Sequence, residues 1–253
     1  MIDDAIRDLR SGKPVLIFDS AKREGETDIV IASQHITSDK IMFMRKNGGG
    51  LICTTLRERE ARVLGLPFIE DFYRDNLKIE KRAMDTSDMK YDKNSSFSVT
   101  INHRKTFTGI SDNDRALTAR SFAELLGEIA SGKTDGSSVK FVENFRIPGH
   151  ISLIIAREGY FSRRRGHTEL GTYLGEVAGI IPSVTLVEML DDNGYSLSRE
   201  KAMRFASENS LTFIDGESII QRWNNDQSDG HRSVRHTSSG TSALLEGIQE
   251  VGR

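Results

Sequence analysis

Short apolar runs that alternate with stretches of helical periodicity restrict the fold of this chain more than any other feature. Val15 to Asp19, Ile29 to Ala32, Leu51 to Thr55, Phe97 to Asn102, Ile151 to Ala156, Val184 to Leu190 and Leu211 to Ile214 have the length and composition of strands. Helices are expected between them. The first covers residues 2–10, with Ile2, Ile6 and Leu9 on one face, and ends at Ser11-Gly12-Lys13-Pro14. Others start at Thr37-Ser38-Asp39-Lys40 and run to Lys46, then cover Arg57 to Leu64, Ser111 to Ser131, Thr168 to Ala178, Arg199 to Asn209 and Asp215 to Trp223. Residues 70–95 are polar and aperiodic, which predicts a surface excursion. Strands and helices alternate without a repeat, so the expected class is α/β, a mixed sheet covered by helices in a single domain over 1–223. Residues 224–253 lack a core-forming pattern and read as a polar, mobile tail, with a short helix over Ser242 to Val251 and with His231 and His236 solvated.

The 253 residues are 37% hydrophobic and 28% charged, with a formal net charge of -2. That balance argues against a general nucleic-acid or membrane binder. No apolar run approaches the roughly 20 residues of a membrane-spanning helix, and the acidic, amphipathic N-terminus has no signal-peptide core. A cytoplasmic protein is expected. Cys53 is the one cysteine, so neither an intrachain disulfide nor a cysteine-based zinc site is available.

Several polar segments adjoin strand ends, where ligands collect in sheets of this class. The loop Arg23-Glu24-Gly25-Glu26-Thr27-Asp28 gathers carboxylates that repel one another unless something positive lies among them. It reads either as a solvated loop or as a site for a hard divalent cation, which takes one or two protein carboxylates together with substrate oxygens. In Arg163-Arg164-Arg165-Gly166-His167-Thr168-Glu169, arginines lead into a Gly-His-Thr turn and a helix start. The free amides of a helix start favour phosphate, arginine adds bidentate contacts, and a neutral imidazole binds metal. The same run also reads as a charged surface. Glu188, inside an apolar strand, is either a buried acid/base with a raised pKa or a residue at the strand's solvent end. His150, after Pro148-Gly149, is either an acid/base or a turn residue. Cys53 reads first as a small buried hydrophobe.

Taken in order and spacing, Arg23-Glu-x-Glu-x-Asp28, Thr108-Gly-Ile-Ser-Asp-Asn-Asp-Arg-Ala-Leu-Thr118, Pro148-Gly149-His150, Arg164-x-Gly-His-Thr-Glu169 and Glu188 resemble the 3,4-dihydroxy-2-butanone 4-phosphate synthase family over residues 1–223. The resemblance implies a magnesium-dependent homodimer, with manganese as the alternative ion, and a three-layer α/β/α fold with a mixed twisted sheet. It implies conversion of D-ribulose 5-phosphate to L-3,4-dihydroxy-2-butanone 4-phosphate and formate for riboflavin biosynthesis. By the same resemblance Glu24 and His167 hold the metal. Arg23 and Asp28 contact substrate, and Arg164, Arg165, Gly166, His167 and Thr168 cradle its phosphate. Glu188 and Asp28 handle protons, His150 is catalytic, and Cys53 and Thr108 lie near the substrate. One departure stands out: Leu170-Gly171-Thr172-Tyr173-Leu174 occupies the place where the family usually continues Ala-x-x-Asp-Leu.

A metal-dependent sugar-phosphate isomerase or aldolase would share the same need for enediolate and phosphate stabilisation. A nucleotide-binding module acting on transfer RNA would need a broad positive surface, which the charge balance does not provide.

Overall fold

The computed structural model describes residues 2–78 and 80–228. The chain divides into two compact units, Met1–Gly216 and Glu217–Arg253. The described part of the second unit, residues 217–228, is helical and so continues past the expected end at Trp223. His231, His236 and the helix expected over Ser242 to Val251 lie outside the described residues. Among the described residues, no helix is long and apolar enough to cross a membrane.

The first unit is built on seven strands: β1 Val15–Phe18, β2 Thr27–Ala32, β3 Cys53–Arg57, β4 Phe97–His103, β5 Phe145–Ala156, β6 Val184–Glu188 and β7 Thr212–Asp215. They form one sheet in the order β4-β5-β3-β6-β2-β1-β7. The β1–β7 and β3–β5 pairs are parallel, whereas β1–β2, β2–β6, β3–β6 and β4–β5 are antiparallel. The sheet is mixed, as expected.

The helices are α1 Ile2–Arg10, α2 Ser38–Asn47, α3 Glu58–Leu64, α4 Ile69–Asn76, α5 Asp112–Ala130, α6 Ser137–Asn144, α7 His167–Val177 and α8 Arg199–Glu208. Local chemistry sets several of their ends. Thr37 and Ser111 cap α2 and α5 through side-chain oxygens, and α3 stops at Gly65 in the left-handed region.

The two sheet faces bury different sets of side chains. Leu16, Ile29, Ile31, Leu56 and Val187 join Met44 of α2 and Phe122 and Leu126 of α5 in the main core. Val30 and Val184 project to the other face, onto α7. A Cβ at Gly171 would come within 2.7 Å of Val184, so glycine lets this helix lie close against the sheet. With α2 and α5 on one side and α7 on the other, the layers are α/β/α. Gly171 thus has a packing role, and Thr172 returns its hydroxyl to the Thr168 carbonyl at 2.7 Å.

Three local expectations are corrected. The excursion over 70–95 contains α4, whose residues are all at least partly exposed, so no buried apolar stripe announced it. The helix α6 was also absent from the sequence reading. The Pro148-Gly149-His150 segment is not a free-standing turn but lies inside the long β5. Four residues, 147–150, interpose between the Asn102↔Arg146 and Ile101↔Ile151 pairs, and a bulge of this kind tolerates proline. Its backbone is satisfied by side chains: the Gly149 N–H donates to Thr100 Oγ1 at 3.1 Å, and that of His150 to Asn102 Oδ1 at 2.9 Å.

Phe122 is fully buried and meets Phe141 and Phe145 edge-on at centroid distances of 6.3 and 5.8 Å. Phe122→Ala is expected to lower unfolding stability by about 3–5 kcal/mol, measured by urea titration. A loss below about 1 kcal/mol would show that this aromatic cluster does not anchor the core.

Candidate active site

The acidic loop is organised from within by Asp19, the residue that follows β1. Its buried carboxylate accepts the backbone N–H groups of Glu24 at 3.1 Å and Glu26 at 3.0 Å, and also the Arg23 guanidinium at 3.0 Å. Gly25 turns the chain at φ 70 between them. Arg23 pairs in addition with Glu24 and with Asp92, the latter at 2.6 Å. Burial works against the Arg23 charge, but Glu24 and Asp92 outweigh it and hold the guanidinium firmly protonated. The carboxylates gathered between two buried strands are therefore counterbalanced rather than merely solvated.

Sheet register sets the next group of residues. Asp28 on β2 lies opposite Glu188 on β6, and Leu186 lies opposite Cys53 on β3, so all four face the α7 side. The N-terminus of α7 delivers His167 to the same place. Its Nδ1 lies 3.5 Å from Asp28 Oδ1 and 3.7 Å from Glu24 Oε2. Its Nε2 lies 3.2 Å from the Ile17 carbonyl, a contact that fixes the proton on Nε2 and leaves Nδ1 facing the carboxylates.

The electrostatics follow from burial. Asp28 is 1% exposed, and desolvation, opposed by His167 and reinforced by Glu188, pushes its carboxyl up to about 7. Burial works against the His167 cation, but Asp28 and Glu24 prevail and bring it up to about 9. Burial likewise opposes the Glu24 charge, yet the nearby His167 cation and the Arg23 guanidinium hold it down at about 2. Burial, with Glu188 and Asp28 nearby, keeps the Cys53 thiol well above its usual range. That sulfur is a neutral wall of the site and not a thiolate. The Glu188 carboxylate accepts the Leu51 N–H at 2.8 Å and lies where a side chain at Gly50 would have to be.

Asp19, Glu24 and His167 each offer a ligand atom, and these atoms all lie within 4.8 Å of one another. Two carboxylates and an oriented imidazole suit a divalent cation, and Asp28 Oδ1 is buried beside them with no hydrogen-bond partner. The residues therefore fit the metal that the sequence suggested.

The cleft over this cluster has a volume of about 370 Å³. Glu24, Asp28, Cys53 and Glu188 line it, as do Arg164, His167 and Thr168 from the turn before α7 and from its first residues. Arg164 Nη1 donates to Glu169 Oε2 at 2.8 Å, which draws the guanidinium over the helix start. Gly166 leaves room there for the guanidiniums of Arg164 and Arg23, which a side chain would push aside.

Three of the residues named from sequence stand apart from the cleft. Arg165 is exposed and turns to the Phe161 carbonyl at 3.5 Å. His150 and Thr108 are exposed and gather instead around Asn102, whose amide lies 3.1 Å from His150 Nδ1 and 3.5 Å from the Thr108 carbonyl. Along β5, His150 is four residues from the cleft residue Ile154, roughly 13 Å of strand.

Two residues of the cluster escaped the sequence reading. Asp19 lies at the edge of an apolar run, and its position beside the charged loop was the available signal. Asp92 lies in the aperiodic excursion, where nothing in the sequence singles it out.

Residues 3–222 match the family described as 3,4-dihydroxy-2-butanone 4-phosphate synthase. A protein of that name from Archaeoglobus fulgidus is 45% identical over 225 residues, covering 87% of this chain and 93% of the relative. One from Methanosarcina mazei is 41% identical over 227 residues, covering 88% and 90%. A solved 3,4-dihydroxy-2-butanone 4-phosphate synthase in complex with two magnesium ions matches with a TM-score of 0.71 at 26% identity, covering 89% of this chain and 97% of the other. That of Candida albicans matches with a TM-score of 0.68 at 26% identity, covering 87% and 96%. The match extends through the acidic loop, the turn before α7 and the strand that carries Glu188, and the chain belongs to the 3,4-dihydroxy-2-butanone 4-phosphate synthase family.

Proposed function

We propose that this enzyme converts D-ribulose 5-phosphate to L-3,4-dihydroxy-2-butanone 4-phosphate and formate, the reaction through which its family serves riboflavin biosynthesis. The convergence of Glu24, Asp28 and His167 beside an arginine-bearing helix start carries this reading. Glu24 and His167 hold magnesium or manganese, with Asp19 in reach. When bound, the ion supplies Lewis-acid stabilisation of the negative charge that develops on the sugar oxygens.

The chain's own groups divide the remaining work. Arg164 and the first amides of α7, from Gly166 to Thr168, receive the phosphate, and Arg165 flanks them. Arg23 and Asp28 contact the substrate's polar groups. Asp28, with its carboxyl near neutrality, gives or takes a proton at Oδ1, the atom that makes no hydrogen bond inside the protein. Glu188, aimed by the Leu51 N–H, serves as a second proton-handling group on the same face. Cys53 closes the floor as a neutral thiol.

His150 and Thr108 enter the site from a second copy of the chain. They cluster away from the cleft of their own chain, and exposed apolar side chains lie beside them in sequence: Phe107, 94% exposed, with Ile110 and Ile147. The reading is therefore a homodimer with shared sites.

Formate release from ribulose 5-phosphate tests the activity, because an isomerase or aldolase would not produce it. Formate is expected from the wild type with magnesium. Release should fall at least ~100-fold with chelator, in Glu24→Ala and in His167→Ala. Wild-type turnover in both variants would overturn the metal assignment.

The raised His167 pKa gives the metal site a pH dependence. Binding at Nδ1 requires the neutral ring, so below about pH 9 the ion has to displace a proton. Magnesium affinity should rise with pH up to that value and level off above it. Calorimetry between pH 6 and 8, in buffers of different ionisation enthalpy, should show proton release on binding. Affinity independent of pH, with no proton released, would remove His167 from the ligand set.

Subunit sharing is testable by mixing two inactive variants, Glu24→Ala and His150→Ala. Each mixed dimer retains one intact site if the two residues come from different chains, and activity should recover to about a quarter of wild type. No recovery from dimers shown to have exchanged subunits would place His150 outside its partner's site.

A further inference from the structure

The segment over residues 86–94 lies along the cleft, with Tyr91, Asp92 and Asn94 among its lining. Its backbone is irregular, and most of its residues are exposed. Beyond it the chain is pinned at Ser95. The Ser95 N–H donates to Glu70 at 3.0 Å, and its carbonyl accepts from Arg157 at 3.1 Å, while Arg157 pairs with Glu70 at 3.0 Å. Asp92, three residues before that anchor, reaches back into the site.

Asp92 Oδ2 accepts Arg23 Nε at 3.0 Å and Nη2 at 2.6 Å, and lies 3.1 Å from Arg164 Nε. One carboxylate oxygen is thus shared between two guanidiniums, an arrangement suited to an oxyanion. The fit to Arg164 is incomplete: its Nε–H is buried and makes no hydrogen bond, because Asp92 stands close but out of line. The Arg164 donor near the cleft is therefore occupied electrostatically but not satisfied. A phosphate brings two charges and several oxygens to the same donors and to the α7 amides, where the carboxylate brings one charge.

We propose that Asp92 is an internal competitor for the phosphate cradle, a tethered carboxylate that fills the Arg23–Arg164 pair in the free enzyme and that the substrate's phosphate has to replace on Arg164. This rests on the reading of Arg164 as part of the phosphate cradle. The exchange sets a threshold. Every incoming anion meets the same internal competitor, so the apparent affinity of each is lowered by the same factor and occupancy at working concentrations depends on how strongly the rest of the cradle holds it. Asp92 keeps its two hydrogen bonds from Arg23 through this exchange, so the carboxylate stays beside the cradle and competes again when the anion leaves.

Binding of inorganic phosphate at pH 8, and of methanesulfonate as a tetrahedral monoanion, tests this by calorimetry without reference to turnover. Asp92→Asn keeps the shape and removes the charge. Both anions should bind at least about fivefold more tightly to it, by a common factor, because the same competitor has been removed. Unchanged or weaker phosphate binding by Asp92→Asn overturns the proposal. Arg164→Met separates it from the reading beneath. Phosphate binding lost in Arg164→Met but not tightened in Asp92→Asn leaves the cradle standing and removes Asp92 from it. Wild-type phosphate affinity in Arg164→Met overturns the cradle, and the inference with it.

Discussion

Buried carboxylates can share one cleft only if positive charge is interleaved among them, and that constraint governs this site. Asp19, Glu24, Asp28 and Asp92 meet around Arg23 and His167. Each guanidinium or imidazole is held protonated by the acids, and Glu24 is in turn held ionised. Asp28 differs because burial dominates its surroundings and the neighbouring carboxylates add to the effect. The same cluster therefore contains a carboxylate fixed in its charged form, suited to a cation, and one balanced near neutrality, suited to proton transfer. Environment separates the two roles, since the side chains are nearly alike.

The sheet acts as the ruler for this arrangement. Asp28, Glu188, Leu186 and Cys53 share a face because their strands pair in a register that puts them opposite one another, and a one-residue slip would turn each away from the cleft. The helix α7 supplies what the sheet lacks. Gly171 lets it approach Val184 and Val30 closely, which brings His167, at its first turn, over Asp28. Gly50 has a comparable function from the opposite side, leaving room for the Glu188 carboxylate against the Leu51 N–H. These are packing requirements with direct chemical consequences, because a displaced helix or loop would separate groups that now lie within 4 Å.

Much of this was legible in the sequence, for identifiable reasons. Strands such as Ile29–Ala32 and Val184–Val187 are apolar or nearly so, and α5 repeats its small and apolar residues at helical spacing, so the α/β class and the central elements follow from pattern. The acidic loop and the Gly-His-Thr turn were visible because clustered charges beside buried strands demand a counterpart. Elements without an apolar signature were hidden. The helix α4 buries no residue completely, and the bulge in β5 depends on long-range pairing with β4 that no local pattern encodes. Asp19 was masked by its attachment to an apolar run. Asp92 was masked more deeply, because its importance arises from two arginines 69 and 72 positions away in sequence. The separation of His150 and Thr108 from the cleft was equally unreadable, since order along the sequence carries no information about which motifs meet in space.

The asymmetry of charge along the cleft has a consequence for substrate orientation under the proposed reading. The start of α7 and Arg164 offer donors to an anion, whereas Glu24, Asp28 and Glu188, on the loop and the sheet, present carboxylates that would repel one. A sugar phosphate entering in reverse would place its phosphate against those acids and its hydroxyls against donors that prefer full negative charge, so both ends would be mismatched. In the forward orientation the phosphate would lie over the helix start, and the carbon chain would extend towards Glu24 and His167, the residues that would hold a cation. The sugar carbons then lie above the face shared by Asp28 and Glu188. Binding energy from the phosphate, remote from the reacting carbons, thereby fixes which atoms meet the acid/base groups, and the repulsion that makes the acidic loop costly to fold becomes the means of excluding the unproductive pose.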